Sequence, residues 1–159
     1  MDTLLIALEN NARLSNRQLA AMLGKTEEEV EAAIEAYERE GVILGYKTLI
    51  NWDKTDRDLC HARIELKVIP QSGHGFDEIA NQLMQYDQVE TVYLMSGAYD
   101  LALTVRGKSF KDVALFVSQC LAPIDAVQST STHFVLKKYK ERGKSVIEKE
   151  IDTREVTGL

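Results

Sequence analysis

Apolar residues recur with helical spacing over residues 1–44 and with an alternating period from residue 60 onward. Leu4, Leu5 and Leu8 form a first stripe, closed by Asn10-Asn11. Ser15 stands at an N-cap position with Gln18 three residues on, the spacing of a capping box. Leu19, Met22 and Leu23 supply the buried face of that helix, and Gly24 stands where a glycine ends one. Thr26 and Glu29 repeat the box, Val30, Ala33, Ile34 and Tyr37 keep the helical period, and Gly41 terminates it. The β-prone stretch Val42-Ile43-Leu44-Gly45-Tyr46-Lys47 predicts a small wing. Two short helices about a glycine-containing turn, led by a third helix and followed by a wing, outline a winged helix-turn-helix. A plain three-helix bundle shares that outline, and the pattern alone leaves both open.

Residues 60–68 alternate cleanly: Cys60, Ala62, Ile64, Leu66 and Val68 on one face, His61, Arg63, Glu65 and Lys67 on the other. Pro70-Gln71-Ser72-Gly73 breaks the strand. Phe76, Ile79, Ala80 and Leu83 make a helix face, Val89 to Met95 a second strand, and Ser96-Gly97-Ala98 a tight connection. Tyr99, Leu101, Leu103 and Val105 alternate as a third strand. Phe110, Val113, Phe116, Val117 and Cys120 have helical spacing ahead of Pro123, and Val127 to Leu136 reads as a fourth strand. The order β-α-β-β-α-β is the ferredoxin-like split βαβ, so the fold class is α+β. Two helices are expected to cover one sheet face. Strict alternation puts Val92, Leu94, Ala102, Phe134 and Leu136 on the other, a face too apolar to stay wet, which predicts that a second subunit covers it. The chain is thus expected to divide into a head over 1–45, a linker over 46–59, the βαββαβ domain over 60–138 and a tail over 139–159.

The composition of the 159 residues, 45% hydrophobic and 28% charged, is that of an ordinary globular protein. No apolar run approaches the ~20 residues of a membrane helix, and MDTLLIALENN carries no basic n-region or cleavage site of a secretory signal. Cys60 and Cys120 have no spacing that indicates zinc or a disulfide framework, so a cytoplasmic protein without metal or cofactor is expected. The net charge of −6 does not select a nucleic-acid partner. Residues 1–50 hold five basic and nine acidic side chains, and the cations gather late, in KYKERGK.

The stretch "NNARLSNRQLAAMLGKTEEEVEAAIEAYEREGVILGYKTLIN", together with "YLMSGAYDLALTV" and "STSTHFVLKKYK", resembles the Lrp/AsnC family of transcriptional regulators over roughly residues 1–138. The Gly-x-Tyr-Asp turn between two apolar strands is the most specific element. The resemblance implies operator DNA as partner and dimers formed through the second module. It also implies higher even oligomers, possibly octamers, and a small effector, usually an amino acid, bound where those modules meet. On this chain it points to Gly97, Ala98, Tyr99 and Asp100, with Ser131 and Thr132 as further candidates. The chemistry fits: a carboxylate at Asp100 can receive an ammonium group, and backbone N–H groups near Gly97 can receive a carboxylate.

The third helix departs from the family. From Thr26 to Glu38 it carries no basic residue, whereas Glu27, Glu28, Glu29, Glu31, Glu35 and Glu38 are acidic. Acids in a first helical turn complement the helix dipole, but Glu31 and Glu35 would oppose phosphate. DNA contacts are therefore expected from Arg13, Arg17, Gln18, Lys25 and Lys47, and the alternative is a ligand-binding oligomer whose head has lost or weakened DNA affinity. The basic segment Lys137, Lys138, Lys140, Arg142, Lys144 reads as a solvated tail with a lesser claim on nucleic acid. Some haem-pathway decarboxylases resemble the same two-part fold, but His61, His74 and His133 have no nucleophile or ligand partners in sequence, and no catalytic motif appears, so no enzyme is expected.

Overall fold

The computed structural model describes residues 2–57, 59–69 and 75–147. The predicted break at residues 70–73, the His74 loop and the end of the chain from 148 lie outside the described residues. The chain forms two compact units, Met1–Ile50 and Asn51–Leu159.

The first unit holds α1 (Thr3–Asn10), α2 (Asn16–Leu23) and α3 (Glu27–Arg39). Each start is a side-chain cap. Asp2 accepts from the Leu4 N–H, and both predicted capping boxes close, Ser15 with Gln18 and Thr26 with Glu29. Gly24 ends α2 in the left-handed conformation at φ 65°, which sets the tight turn into α3. Leu4, Leu8, Leu19, Ala20 and Val30 are buried together, with Ile34 and Tyr37 against them. The Tyr37 hydroxyl donates to Asp2, so the cap of α1 is also tied to α3. Met22, expected in this core, is instead exposed; Ala20 takes the buried place, because the contact face of α2 runs through Leu19, Ala20 and Leu23.

No strand forms in residues 42–50, and the predicted wing is corrected. A wing needs two paired strands, and this single stretch has no ladder partner among the described residues. Val42, Leu44, Tyr46, Leu49 and Ile50 are left exposed.

The second unit holds β1 (Cys60–Val68), α4 (Phe76–Leu83), β2 (Val89–Leu94), β3 (Leu101–Gly107), α5 (Phe110–Phe116), and β4 (Val127–Phe134). A π-helical turn, Val117–Leu121, follows α5. The sheet is antiparallel in the order β2-β3-β1-β4, the split βαβ arrangement. Its core lies under α4 and α5, where Ala62, Ile64, Leu66 and Val68 of β1 meet Leu101, Leu103 and Val105 of β3, with Ile79, Leu83, Val113, Phe116 and Leu121 above. Gly107 allows α5 to sit close: a Cβ there would lie 2.8 Å from Cγ2 of Val113. No described helix is long and apolar enough to cross a membrane.

The register overturns the expected second apolar face. Val92 lies opposite Leu103 and Leu94 opposite Leu101, while Phe134 lies opposite Ala62, so all three point to the helix-covered side. Val92 and Phe134 pack on the core, Leu136 lies past the end of β4, and of the predicted set Ala102 stays on the uncovered face. That face is polar. On one side Glu90 meets Arg106 at 3.3 Å and His61 at 3.7 Å; on the other Glu65 meets His133 at 3.6 Å and Arg63 at 3.8 Å. A bulge between Val89 and Thr91 shifts the phase of β2, and the turn between β2 and β3 shifts it again. One-residue phases of this kind invert a face.

Residues 140–145, inside the stretch expected to be a tail, form a hairpin of β5 (Lys140–Glu141) and β6 (Lys144–Ser145).

Candidate functional site

Two surfaces carry the candidate chemistry, one in each unit. In the first unit the loop between α1 and α2 holds Arg13, the first turn of α2 holds Arg17 and Gln18, the turn before α3 holds Lys25, and the segment after α3 holds Lys47. All five are exposed. Gln18 is partly committed, since its side-chain oxygen accepts from the Ser15 N–H at 2.9 Å. On α3, Glu29 closes the capping box through the Thr26 N–H at 2.8 Å. Hydrogen bonds from its own backbone N–H and from Thr26 hold the Glu28 carboxyl below the ordinary value. Glu38 accepts from the Tyr46 hydroxyl at 3.0 Å. Glu31 and Glu35 are exposed one turn apart and have no cation beside them among the described residues. Local folding therefore explains Glu28, Glu29 and Glu38, and leaves Glu31 and Glu35 unexplained.

In the second unit the turn between β2 and β3 is pinned at both ends. The Met95 N–H donates to the Asp100 carbonyl at 2.8 Å, and the Asp100 N–H donates to the Leu66 carbonyl at 3.0 Å. The Asp100 carboxylate then bridges to β1. It accepts from the Val68 N–H at 2.9 Å and from Lys67 Nζ at 3.1 Å, and these two bonds hold its pKa below the ordinary value. Lys67 and the Val68 amide are participants that the sequence did not disclose; their part follows from the β1–β3 register, which sets Leu66 opposite Leu101. Gly97 and Ala98 are exposed and Tyr99 is half-buried. The N–H groups of Gly97, Ala98 and Tyr99 have no acceptor among the described residues. Gly97 is not in a left-handed conformation, and a Cβ on it would meet nothing within 4 Å. Neither turn geometry nor packing within the chain requires glycine there.

Ser131 and Thr132 cannot both face this turn from one surface. They are adjacent on β4 and so face opposite sides of the sheet, with β1 between β4 and β3. Ser131 is on the uncovered side, hydrogen-bonded to His133 at 3.0 Å. Two open concavities lie away from these residues. A concavity of about 560 Å³ is bordered by Arg57, Arg106, Lys108 and Phe116, and another of about 410 Å³ by Glu78, Ile79, Pro123 and Ile124. Neither includes a predicted effector residue, and Gly97 and Ala98 of the 97–100 turn are exposed in the single chain.

This geometry, a capped helix-turn-helix and a βαββαβ unit with a locked Gly-x-Tyr-Asp turn, agrees with two family models. The Lrp/AsnC ligand binding domain matches residues 61–145, and a winged helix-turn-helix DNA-binding domain matches residues 3–43. The chain belongs to the Lrp/AsnC family. Its relatives include YugG of Bacillus subtilis (strain 168), described as an uncharacterized HTH-type transcriptional regulator. The two are 46% identical over 138 residues, covering 86% of this chain and 83% of YugG. The solved leucine response regulatory protein of Mycobacterium tuberculosis has the same fold, with a TM-score of 0.76 at 20% identity, over 92% of this chain and all (100%) of that one. A transcriptional regulator of Neisseria meningitidis, solved in complex with L-Met, gives a TM-score of 0.70 at 20% identity, over 89% of this chain and 93% of that one. The protein is a transcriptional regulator of the Lrp/AsnC type with a ligand-binding domain, and the relatives are regulators rather than enzymes. For an Lrp/AsnC protein, the acidic α3 is the feature that needs accounting for.

Proposed function

We propose that this regulator binds operator DNA through its first unit and responds to a small amino acid held at the 97–100 turn. The observation that carries the effector reading is the trio of uncommitted N–H groups at Gly97, Ala98 and Tyr99, beside a carboxylate that stays ionised. The amides suit the carboxylate of an amino acid and Asp100 its ammonium group. The open space above Gly97 gives the glycine a use that folding does not. The Neisseria relative solved with L-Met supports an amino acid as the class. In this reading a second copy closes the site, as an open turn on one chain buries too little of a ligand. Dimers and a higher even oligomer follow, and the exposed Ile69, Leu94 and Met95 supply apolar surface for such a contact. Ser131 joins from the uncovered face only if that face meets the turn of another copy.

Calorimetric titration of the full chain with a panel of amino acids tests this. Gly97→Leu is expected to leave the melting temperature unchanged and weaken the preferred amino acid on the order of tenfold or more, because it fills ligand space alone. Full affinity in that variant would remove the turn from consideration. Light scattering is expected to give an even multiple of the chain mass, and a monomer at micromolar concentration would count against the shared site.

The unpartnered Glu31 and Glu35 favour a second reading: an effector-binding oligomer of this family whose head has weakened DNA affinity. A salt-dependent gel-shift titration separates the two.

A further inference from the structure

The cations absent from Thr26 to Glu38 are concentrated in and just before the hairpin. Five of the eight residues from Lys137 to Lys144 are Lys or Arg, against one acid, Glu141. Two are used locally: Lys138 pairs with Glu141 at 3.6 Å, and Lys137 sits 5.1 Å over the Tyr139 ring. Lys140, Arg142 and Lys144 are exposed and have no acidic partner among the described residues. The ribbon that presents them is held in place. The Val146 N–H donates to the Tyr139 carbonyl at 3.0 Å, and Asn51 Nδ2 donates to the Val146 carbonyl at 3.1 Å. Its apex is a two-residue turn, Arg142-Gly143, with φ of 41° and 81°, the left-handed pair a tight hairpin needs. Gly143 suits it; Arg142 does not, since Asn, Asp or Gly is favoured there. Arg142 is the non-glycine with positive φ among the described residues. A long cation stands at the most projecting point of a fixed ribbon, where folding alone favours another residue.

We propose that the β5–β6 hairpin is a second DNA-contacting surface, in which Lys140, Arg142 and Lys144 grip backbone phosphates without reading sequence. It rests on the operator-binding reading above. Phosphate contacts supply affinity and salt dependence whatever element delivers them, so the hairpin compensates a head whose third helix repels phosphate.

The test uses the full chain and a labelled random-sequence DNA duplex over a salt series, with light scattering and thermal melts in parallel. The Lys140→Gln/Arg142→Gln/Lys144→Gln triple variant should bind on the order of tenfold or more weakly at about 0.1 M salt, with a log–log salt slope shallower by up to about 2.7. Arg142→Asn should melt no lower than wild type while still losing affinity, a split that a purely structural role would not give. Unchanged affinity and slope in the triple variant would overturn the proposal. So would a loss that appears only together with a changed assembly mass, which would assign the hairpin to an acidic surface on a neighbouring copy. Weakening by Arg17→Gln alone would keep the head reading and reject the hairpin; no DNA binding by wild type at any salt would reject both.

Discussion

Asp100 accepts two hydrogen bonds within its own chain, and this decides what its removal does. The Val68 N–H and Lys67 stabilise the ionised carboxylate, so its folded pKa lies below its unfolded value. A depressed carboxylate contributes stability that is complete above the unfolded pKa, about 4, and is lost as pH falls through the folded pKa. Asp100→Asn is therefore expected to melt at a lower temperature than wild type near neutrality, with the difference narrowing below about pH 4. Melts over a pH series check it, and a gap that stays constant to acid pH would show that the two bonds do not depend on charge. His61 works in the opposite protonation sense. Burial, with Lys138 near it, lowers its pKa despite Glu90, so it is neutral at pH 7 and its approach to Glu90 is not an ion pair there. Cys60, whose thiol is raised by burial and by Asp112, is a poor nucleophile at neutral pH, consistent with a structural place at the start of β1.

At the scale of elements, the helix starts and the seat of α5 on the sheet each make a contribution to stability that can be tested. Thr26 caps α3 through the Glu29 N–H at 3.2 Å, and Thr26→Ala should cost about 1 kcal/mol in denaturant unfolding. Gly107→Ala should cost about 1–3 kcal/mol, because the new methyl group overlaps a buried Val113. Combining it with Val113→Ala should cost less than the sum of the two single changes, since the smaller side chain makes room. Strict additivity would mean that α5 shifts away from β3 instead. These elements were legible in the sequence because their signals are local. A cap lies within three residues of its partner, and the β1 alternation needs no knowledge of its neighbours. The expected wing fails for the complementary reason: Val42 to Lys47 has strand propensity, but a strand is defined by a partner, and propensity does not supply one.

At the scale of the whole molecule, charge is the leading determinant of DNA affinity. Reversing Glu31 and Glu35 to Lys should strengthen binding to duplex DNA on the order of tenfold at about 0.1 M salt if each gains a phosphate contact. Gel shifts at several salt concentrations check it, and weaker binding after Glu31→Lys would show that these acids serve recognition rather than oppose it. The surface available for association between copies is also set at this scale. Strict alternation predicts an apolar second sheet face; the face is polar, carrying Glu65, Glu90, Arg63, Arg106 and two histidines, and Ile69, Leu94 and Met95 are among the exposed apolar side chains that remain for such a contact. Sequence by itself determined the order of the five helices and the four strands of the main sheet, the caps of α2 and α3, the covered face of β1 and the Gly-x-Tyr-Asp turn, all of which are written within a few residues of chain. Only the tertiary structure decided which residues of β2 and β4 share a face with β1, that Asp100 is held by Lys67 and the Val68 amide, and that a basic tail is a fixed ribbon. Strand register is a relation between distant segments, and a single bulge changes its phase, so no local pattern carries it.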